Sequence, residues 1–319
     1  MKILVITNMF PGHNHDVPYQ GVFVAEQVDS LRARGLDCDL IVIEGHKGKL
    51  FYLFSLLRIY SHIFLHKYDV IHVHYGLSGL FMLLLPFRRV WRRVVITLHG
   101  GDILPGQGKY VQVFLTKLIV SKAGVVITLN EEMNEQVRSI NTSVVKIPCG
   151  VCPELFTPHK CLRENIIVFP GAVNRWVKNY PFFESVFEQY SLISQDASIV
   201  ILDGMTREQV SQLLSRASAL LMTSHSEGSP QIVKEAMLCD VAVVSSDVGD
   251  VKDIIDGIKG CAVYELHAAP RDVAEQLFLA IEASRISQGV RRQRIFELHL
   301  DQTSVIDQLL SLYTDIKAA

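Results

Sequence analysis

The feature that most constrains this chain is an alternation that runs through nearly all of it. Short apolar, β-branched runs recur at residues 3–7, 40–43, 70–73, 94–98, 125–129 and 144–147, and segments of helical character separate them. Each run is apolar almost throughout instead of every second residue. That is the pattern of a parallel strand covered on both faces. Parallel neighbours need long crossovers, which helices supply. One helix, read at 22–34, closes at Gly35, a residue type suited to a helix end, and another, read at 131–139, is preceded by Asn130, a good N-cap. Such a series predicts an α/β chain with doubly wound sheets.

The series breaks at Pro148-Cys149-Gly150-Val151-Cys152-Pro153, a turn-rich stretch that reads as a linker, and then resumes. Strands are expected at 166–169, 198–202, 219–223, 241–245 and 262–264, helices at 181–190, 207–217, 230–238 and 251–255, and a helical tail from 268. The expected domains are therefore 1–150, a linker at 151–164, a second domain at 165–300, and a final helix at 301–319 packing back on the first domain. Two Rossmann-like domains of this kind, facing a cleft, bind ligands at the C-terminal ends of their strands. No GxGxxG follows the first strand, which argues against a dinucleotide dehydrogenase.

Charge and composition narrow the classes further. The formal net charge is −2, from 31 basic and 33 acidic residues, so there is no global reason to expect nucleic acid. The mean hydropathy of +0.25 prompts a search for membrane spans. The best candidate run, 77–87, is shorter than the ~20 residues a spanning helix needs. The N-terminus reads as a first strand, not a secretory signal. Six cysteines are scattered at 38, 149, 152, 161, 239 and 261, and the CxxC of Cys149 and Cys152 has no second pair. Zinc is not expected, and the thiols read as reduced in a cytoplasmic protein.

The densest chemistry lies in Ser224-His225-Ser226-Glu227-Gly228-Ser229-Pro230, followed by a helix with Glu235 on its second turn. Ser229 reads as the N-cap and Pro230 as the first helical residue. The free N–H groups and dipole of such a helix start favour a phosphate, and the two carboxylates can accept from sugar hydroxyls. A bland alternative is a loop glutamate and a solvated helix glutamate. In Asn174-Arg175-Trp176-Val177-Lys178-Asn179, the loop after the first strand of the second domain, Arg175 and Lys178 can neutralise a diphosphate. In the first domain His99 ends a strand and can donate to a sugar hydroxyl, with Asp102 close behind. His72 and His74 read as structural. Gly21, in the loop before the first helix, lets backbone approach a ligand or merely caps that helix.

Glu227 and Glu235 together resemble the E-x7-E signature of family-4 retaining glycosyltransferases of the two-domain GT-B fold. Lys234-Glu235-Ala236-Met237 and the stretch from Val243 to Val251 are similar to the bacterial branch that makes teichuronic acid and exopolysaccharides. Pro148-Cys149-Gly150-Val151-Cys152 is similar to the family's Pro-Asn-Gly-Val-Asp linker, with both polar side chains replaced by Cys. The resemblance covers nearly the whole chain, with a second domain shortened before the strand near 219. It implies a transferase moving a sugar from a UDP- or GDP-sugar to a saccharide or lipid-linked saccharide acceptor. It implies that Lys178, Arg175, Gly21 and the helix start at Ser229 hold the diphosphate, Glu235 the ribose, and Glu227 and His99 the sugar, with Asp102 on the acceptor side. No cofactor and no metal are implied, since no acidic DxD-type motif stands in a matching place. A nucleotide-sugar epimerase of similar fold and a non-catalytic nucleotide-sugar-binding protein are the alternatives.

The first domain also carries an apolar helical stretch at 50–67 and a cluster of Arg88, Arg89, Arg92 and Arg93 around Trp91. The helix reads as part of the core. The arginines read as a reversible contact with the inner face of an anionic membrane.

Overall fold

A computed structural model describes residues 1–14, 19–48, 50–84, 87–104, 109–158 and 163–318. Cys161, Pro86 and part of the expected linker lie outside them. The chain divides into two units, Met1–Cys149 with Thr303–Ala319, and Gly150–Gln302.

The first unit is a six-stranded, all-parallel sheet of β1 (Lys2–Thr7), β2 (Asp37–Val42), β3 (Val70–His74), β4 (Val94–Thr97), β5 (Val125–Thr128) and β6 (Val144–Lys146), in the order β2-β1-β3-β4-β5-β6. Its crossovers hold α1 (Val22–Ala33), α2 (Leu50–Leu65), α3 (Phe81–Leu84), α4 (Arg88–Trp91), α5 (Tyr110–Val120) and α6 (Glu131–Arg138). The second unit is a five-stranded parallel sheet of β7 (Glu164–Phe169), β8 (Ser198–Ile201), β9 (Ala217–Met222), β10 (Ala242–Ser246) and β11 (Cys261–Tyr264), in the order β11-β10-β9-β7-β8. Around it run α7 (Tyr180–Ile193), α8 (Arg207–Arg216), α9 (Gln231–Leu238), α10 (Val251–Ile255), α11 (Pro270–Ile286) and α12 (Val290–Glu297), and the chain then enters α13 (Gln302–Ala318).

Successive side chains of a strand point to opposite faces, so every fully apolar strand feeds two cores. Leu4 and Ile6 pack in one cluster with Leu56 and Ile59 of α2. Ile3 and Val5 pack in another with Val24 and Val28 of α1 and with Val305, Leu309 and Tyr313 of α13. In the second unit Ile166 and Val168 join Val233 and Met237 of α9. Ile167 and Phe169 join Phe183 of α7 and Leu277 of α11. The first strand of each sheet lies inside it, β1 between β2 and β3, β7 between β8 and β9. The chain therefore leaves these inner strands in opposite directions, and a crevice opens beyond their C-terminal ends.

Local signals act as the sequence suggested in two places. Gly35, with a positive φ of 80°, follows α1, and the Asn130 side chain accepts from the Met133 N–H at the start of α6. Helix α2 is a correction. Leu56 and Ile59 are its buried residues, while Leu53, Phe54, Leu57, Phe64 and Leu65 are exposed. It lays one narrow stripe on the sheet and is not a core helix. The stretch read as a linker also packs. Val151 and Phe156 are fully buried in the second unit, and Arg163 donates to the carbonyls of Ala217, Cys239 and Asp240. Cys38, Cys149, Cys152, Cys239 and Cys261 are free thiols.

Helix α13 is tied to the first unit by more than apolar contact. The Tyr313 hydroxyl hydrogen-bonds Nδ1 of buried His72. Arg34 pairs with Asp307 at 2.8 Å and Lys317 with Asp69 at 3.3 Å. Both ion pairs are partly exposed and contribute little. The buried hydrogen bond matters more, because removing one partner strands the other. Tyr313→Phe is expected to lower unfolding free energy by about 1–3 kcal/mol in urea titration, with the fold otherwise intact.

Candidate functional site

In the second unit the loops after β7 and β9 flank the sheet's switch point. After β7, Gly171 adopts φ 144°, and a short 3₁₀ turn over Trp176–Lys178 leads through Asn179, at φ 52°, into α7. After β9, the Thr223 hydroxyl bonds the carbonyls of Lys178 and Asn179, and the His225 N–H donates to the Val177 carbonyl. These bonds lock the two loops together. They bring Lys178 Nζ to 2.7 Å from Glu227 Oε1, which also accepts from the Ser224 hydroxyl at 2.8 Å. The cation and the carboxylate singled out from sequence are thus joined in one ion pair, with side chains 9% and 18% exposed. Arg175 lies on the same loop, exposed, at the entry to the 3₁₀ turn. On the same two loops the Trp176 ring lies tilted against His225, with centroids 4.6 Å apart.

Glu235 is not a solvated helix residue. It is 2% exposed, and its Oε1 takes the Arg207 guanidinium at 2.5 Å. Arg207 opens α8, after a Thr206 capping box, and its guanidinium lies over the Phe156 ring at 4.7 Å. No sequence signal pointed to Arg207, because only the fold brings the start of α8 to the second turn of α9.

Ser229 is a correction. Pro230 occupies the N-cap position of α9 and gives that helix start no side-chain cap. The Ser229 hydroxyl instead donates to Asp250 Oδ2 and accepts from Lys234 Nζ at 2.8 Å. All three residues are buried. Burial raises the Asp250 carboxyl above its ordinary range, an effect opposed by Lys234 and by the Ser229 hydrogen bond. Gly249, at φ 62°, lies against the Gly228 carbonyl, where a Cβ would come within 2.5 Å. The loop before α9 therefore keeps its path only with glycine at 249.

In the first unit the corresponding loops follow β1, β3 and β4. Gly21 holds φ 81° at the start of α1, and a Cβ there would lie 2.3 Å from the Met9 carbonyl oxygen, so only glycine closes this turn. After β3, Tyr75 takes a positive φ of 67°, a strained backbone for a large side chain. Its ring packs against His99, and Phe23 of α1 packs against the same His99 ring at 4.7 Å. The His99 ring is hydrogen-bonded to His74 at 3.2 Å, and His74 stacks on His72. Asp102 faces inward. Its two oxygens accept from the N–H groups of Gly76 and His99, so it clasps the loops after β3 and β4. Burial raises its pKa, and those same N–H bonds oppose the rise.

Burial holds His99 and His72 well below the ordinary imidazole range, and holds His74 at about 3. All three are neutral at pH 7, so His99 serves as a hydrogen-bonding group and not as a cation. An unfolded histidine takes up its proton near pH 6.5, whereas folded His74 does so near 3. Stability is therefore fully present above pH 6.5 and falls as pH drops through the window between these values. His74 alone is expected to cost about 1.5 kcal/mol of unfolding free energy between pH 6.5 and 5, and His74→Gln to remove that share of the slope in urea titrations at the two pH values, leaving the share of His72 and His99.

Among the described residues no three His, Cys, Asp or Glu side chains are grouped to hold a metal ion. No helix of the described residues is long and apolar enough to cross a membrane.

Residues 6–155 match the family model described as Glycosyltransferase Family 4, and residues 184–283 match that of Glycosyl transferases group 1. TuaC of Bacillus subtilis, a protein whose name assigns it to teichuronic acid biosynthesis as a glycosyltransferase, is 25% identical over 217 residues. That match covers 58% of this chain and 55% of TuaC, so the chain spans about half the length of this curated relative. Among solved structures, sucrose-phosphate synthase from Thermosynechococcus elongatus superposes over 100% of both chains with a TM-score of 0.81 at 15% identity. Anabaena HepE in complex with UDP-glucose matches over 99% of this chain and 100% of its own, with a TM-score of 0.73 at 12% identity. A mutant of Staphylococcus aureus TarM, in complex with fondaparinux, alpha-GlcNAc-glycerol and UDP, matches over 81% of this chain and 58% of its own, with a TM-score of 0.63 at 17% identity.

Proposed function

We propose, from the premise that both domains belong to glycosyltransferase families of the GT-B fold, that the chain transfers a sugar from a nucleotide-sugar donor to a saccharide or lipid-linked saccharide, with retention at the anomeric carbon, in bacterial surface polysaccharide synthesis. The observation that carries this reading is the meeting of Lys178, Glu227 and the start of α9 at the β7/β9 switch point.

In this reading the donor diphosphate lies against Lys178, Arg175 and the first N–H groups of α9. These groups stabilise the negative charge that builds as the diphosphate leaves, and they are fixed in place beforehand. Ser229 contributes through position, since its hydroxyl holds Asp250 and Lys234 under the helix start. Donor binding exchanges the Lys178–Glu227 contact for one between Lys178 and phosphate, and releases the Glu227 carboxylate to the sugar hydroxyls. Glu235, aligned by Arg207, accepts from the ribose. Gly21 shapes a backbone approach to the phosphates. His99, neutral, bonds a hydroxyl of the sugar or acceptor, and Asp102 positions it through the His99 N–H. A UDP- or GDP-sugar is the donor class. The chain contacts an anionic inner membrane face reversibly, through the exposed apolar side of α2 and the arginines around α4.

Lys178 and Glu235 are buried as well as ion-paired, so shape-preserving substitutions make the cleaner test. Lys178→Gln and Glu235→Gln are expected to weaken nucleotide-sugar binding about ten- to a hundredfold in calorimetric titrations against a UDP- and GDP-sugar panel, with Tm reported alongside. Unchanged affinity in both variants removes the donor-site assignment. Wild type that binds a donor but transfers to no saccharide acceptor is a binding protein instead.

Turnover is expected to persist in excess EDTA, because the diphosphate charge is met by Lys178, Arg175 and backbone N–H groups. A loss rescued by Mg²⁺ overturns that assignment.

A further inference from the structure

A second cationic site lies on the first unit, at the opposite ends of its strands. A surface concavity is lined by Arg88, Trp91, Arg92, Lys122, Thr142 and Ser143 among others, and no carboxylate lines it. Arg92 stands just before β4, Lys122 just before β5 and Ser143 just before β6. The concavity therefore sits at the N-terminal edge of the sheet, whereas His99 and Asp102 follow the C-terminal end of β4.

Its geometry is built, not incidental. The Asn141 amide donates to the carbonyls of Val120 and Ala123, and its oxygen accepts from the Ser143 N–H. This pins the end of α5 to the entry of β6. Gly124 permits a close approach, since a Cβ there would lie 2.3 Å from the Arg92 carbonyl oxygen. The Lys122 ammonium is held over the Trp91 ring at 4.5 Å. The Trp91 indole N–H is shielded from solvent and has no hydrogen-bond partner among the described residues.

The charge here has no internal answer. Arg88, Arg92 and Lys122 make no ion pair among the described residues. Between Glu44 and Glu131 the sequence holds two carboxylates, Asp69 and Asp102. Asp69 is taken by the Lys2 N–H and Lys317, and Asp102 by Gly76 and His99. Two forked guanidinium groups, an ammonium and two hydroxyls offer more donors than a carboxylate's two oxygens can use. A tetrahedral anion with three free oxygens uses them.

We infer that this concavity binds a phosphoryl group, a phosphomonoester or diphosphate, through Arg88, Arg92 and Lys122. The source of that phosphoryl group is either a lipid headgroup or a soluble phosphorylated molecule. Phe87, exposed and packed edge-on against exposed Phe64 of α2, places an apolar surface immediately beside Arg88. This site stands independently of the donor site on the second unit.

The chain has two tryptophans, so Trp176→Phe leaves Trp91 as the sole tryptophan, inside the site, and red-edge excitation that spares the tyrosines reads it alone. Inorganic phosphate is expected to change Trp91 emission saturably. Arg92→Gln with Lys122→Gln in that background is expected to weaken the apparent affinity more than about tenfold. Lys117→Gln removes an exposed charge from α5 outside the concavity, and should shift affinity by no more than about twofold, the scale of a screened surface charge. Vesicles of phosphatidylcholine with phosphatidic acid, compared with phosphatidylcholine alone, separate the sources. A response to phosphatidic acid vesicles assigns a lipid headgroup, and a response to inorganic phosphate without one assigns a soluble ligand. No response to either probe overturns the site, and so does a Lys117→Gln effect equal to that of the double variant. Failure of nucleotide-sugar binding would leave these titrations unchanged, so the two readings fall separately.

Discussion

Everything in this structure follows from the need to cover both faces of two all-parallel sheets. A parallel sheet with a bare face cannot persist in water, and its crossovers must therefore run on both sides. In each unit the chain starts on an inner strand and winds outward both ways, which leaves adjacent loops parting at β1/β3 and at β7/β9. The polar residues of interest gather where those loops part. Their position is a by-product of burying apolar strands, and the chemistry is fitted into a crevice the core has already made.

The strands were legible because burial on both faces removes polar residues from them, and a run such as Ile167, Val168 and Phe169 has no other easy explanation. Helix ends with a local cause, such as Asn130 and Gly35, were legible for the same kind of reason. What sequence reading could not reach was pairing. Lys178 and Glu227 were each visible as candidates, but their contact depends on Thr223 and His225 tying two loops together. Arg207 carried no signal at all. Ser229 looked like a helix cap because its residue type and position fit one. A buried lysine five residues on competes for the same hydroxyl, and that competition is invisible in a local window. Helix α2 misled in another way, since its high apolar content suggested the core while the fold gave it only one stripe to bury.

The two units treat polar groups differently. In the second, opposite charges are matched over short distances, Lys178 with Glu227 and Arg207 with Glu235. Such matching lowers the cost of burying each group, and it leaves a ligand something to exchange against. In the first, three neutral histidines stack in a row, and a carboxylate is held by backbone N–H groups instead of a cation. At these loops, one unit compensates charge and the other avoids it.

The return of α13 to the first sheet has a consequence for how the chain comes into being. Val305, Ile306, Leu309, Tyr313 and Ile316 belong to the cluster that covers one face of β1, β3 and β5. During synthesis, those residues leave the ribosome only after the whole second unit has done so. At about 5–20 residues per second, the first unit must wait on the order of ten seconds with one face of its sheet incompletely covered. The unit made first is thus the one completed last, and the second unit, whose residues are continuous in sequence, can finish folding while its predecessor is still open. The order of translation and the order of assembly run in opposite directions along this chain.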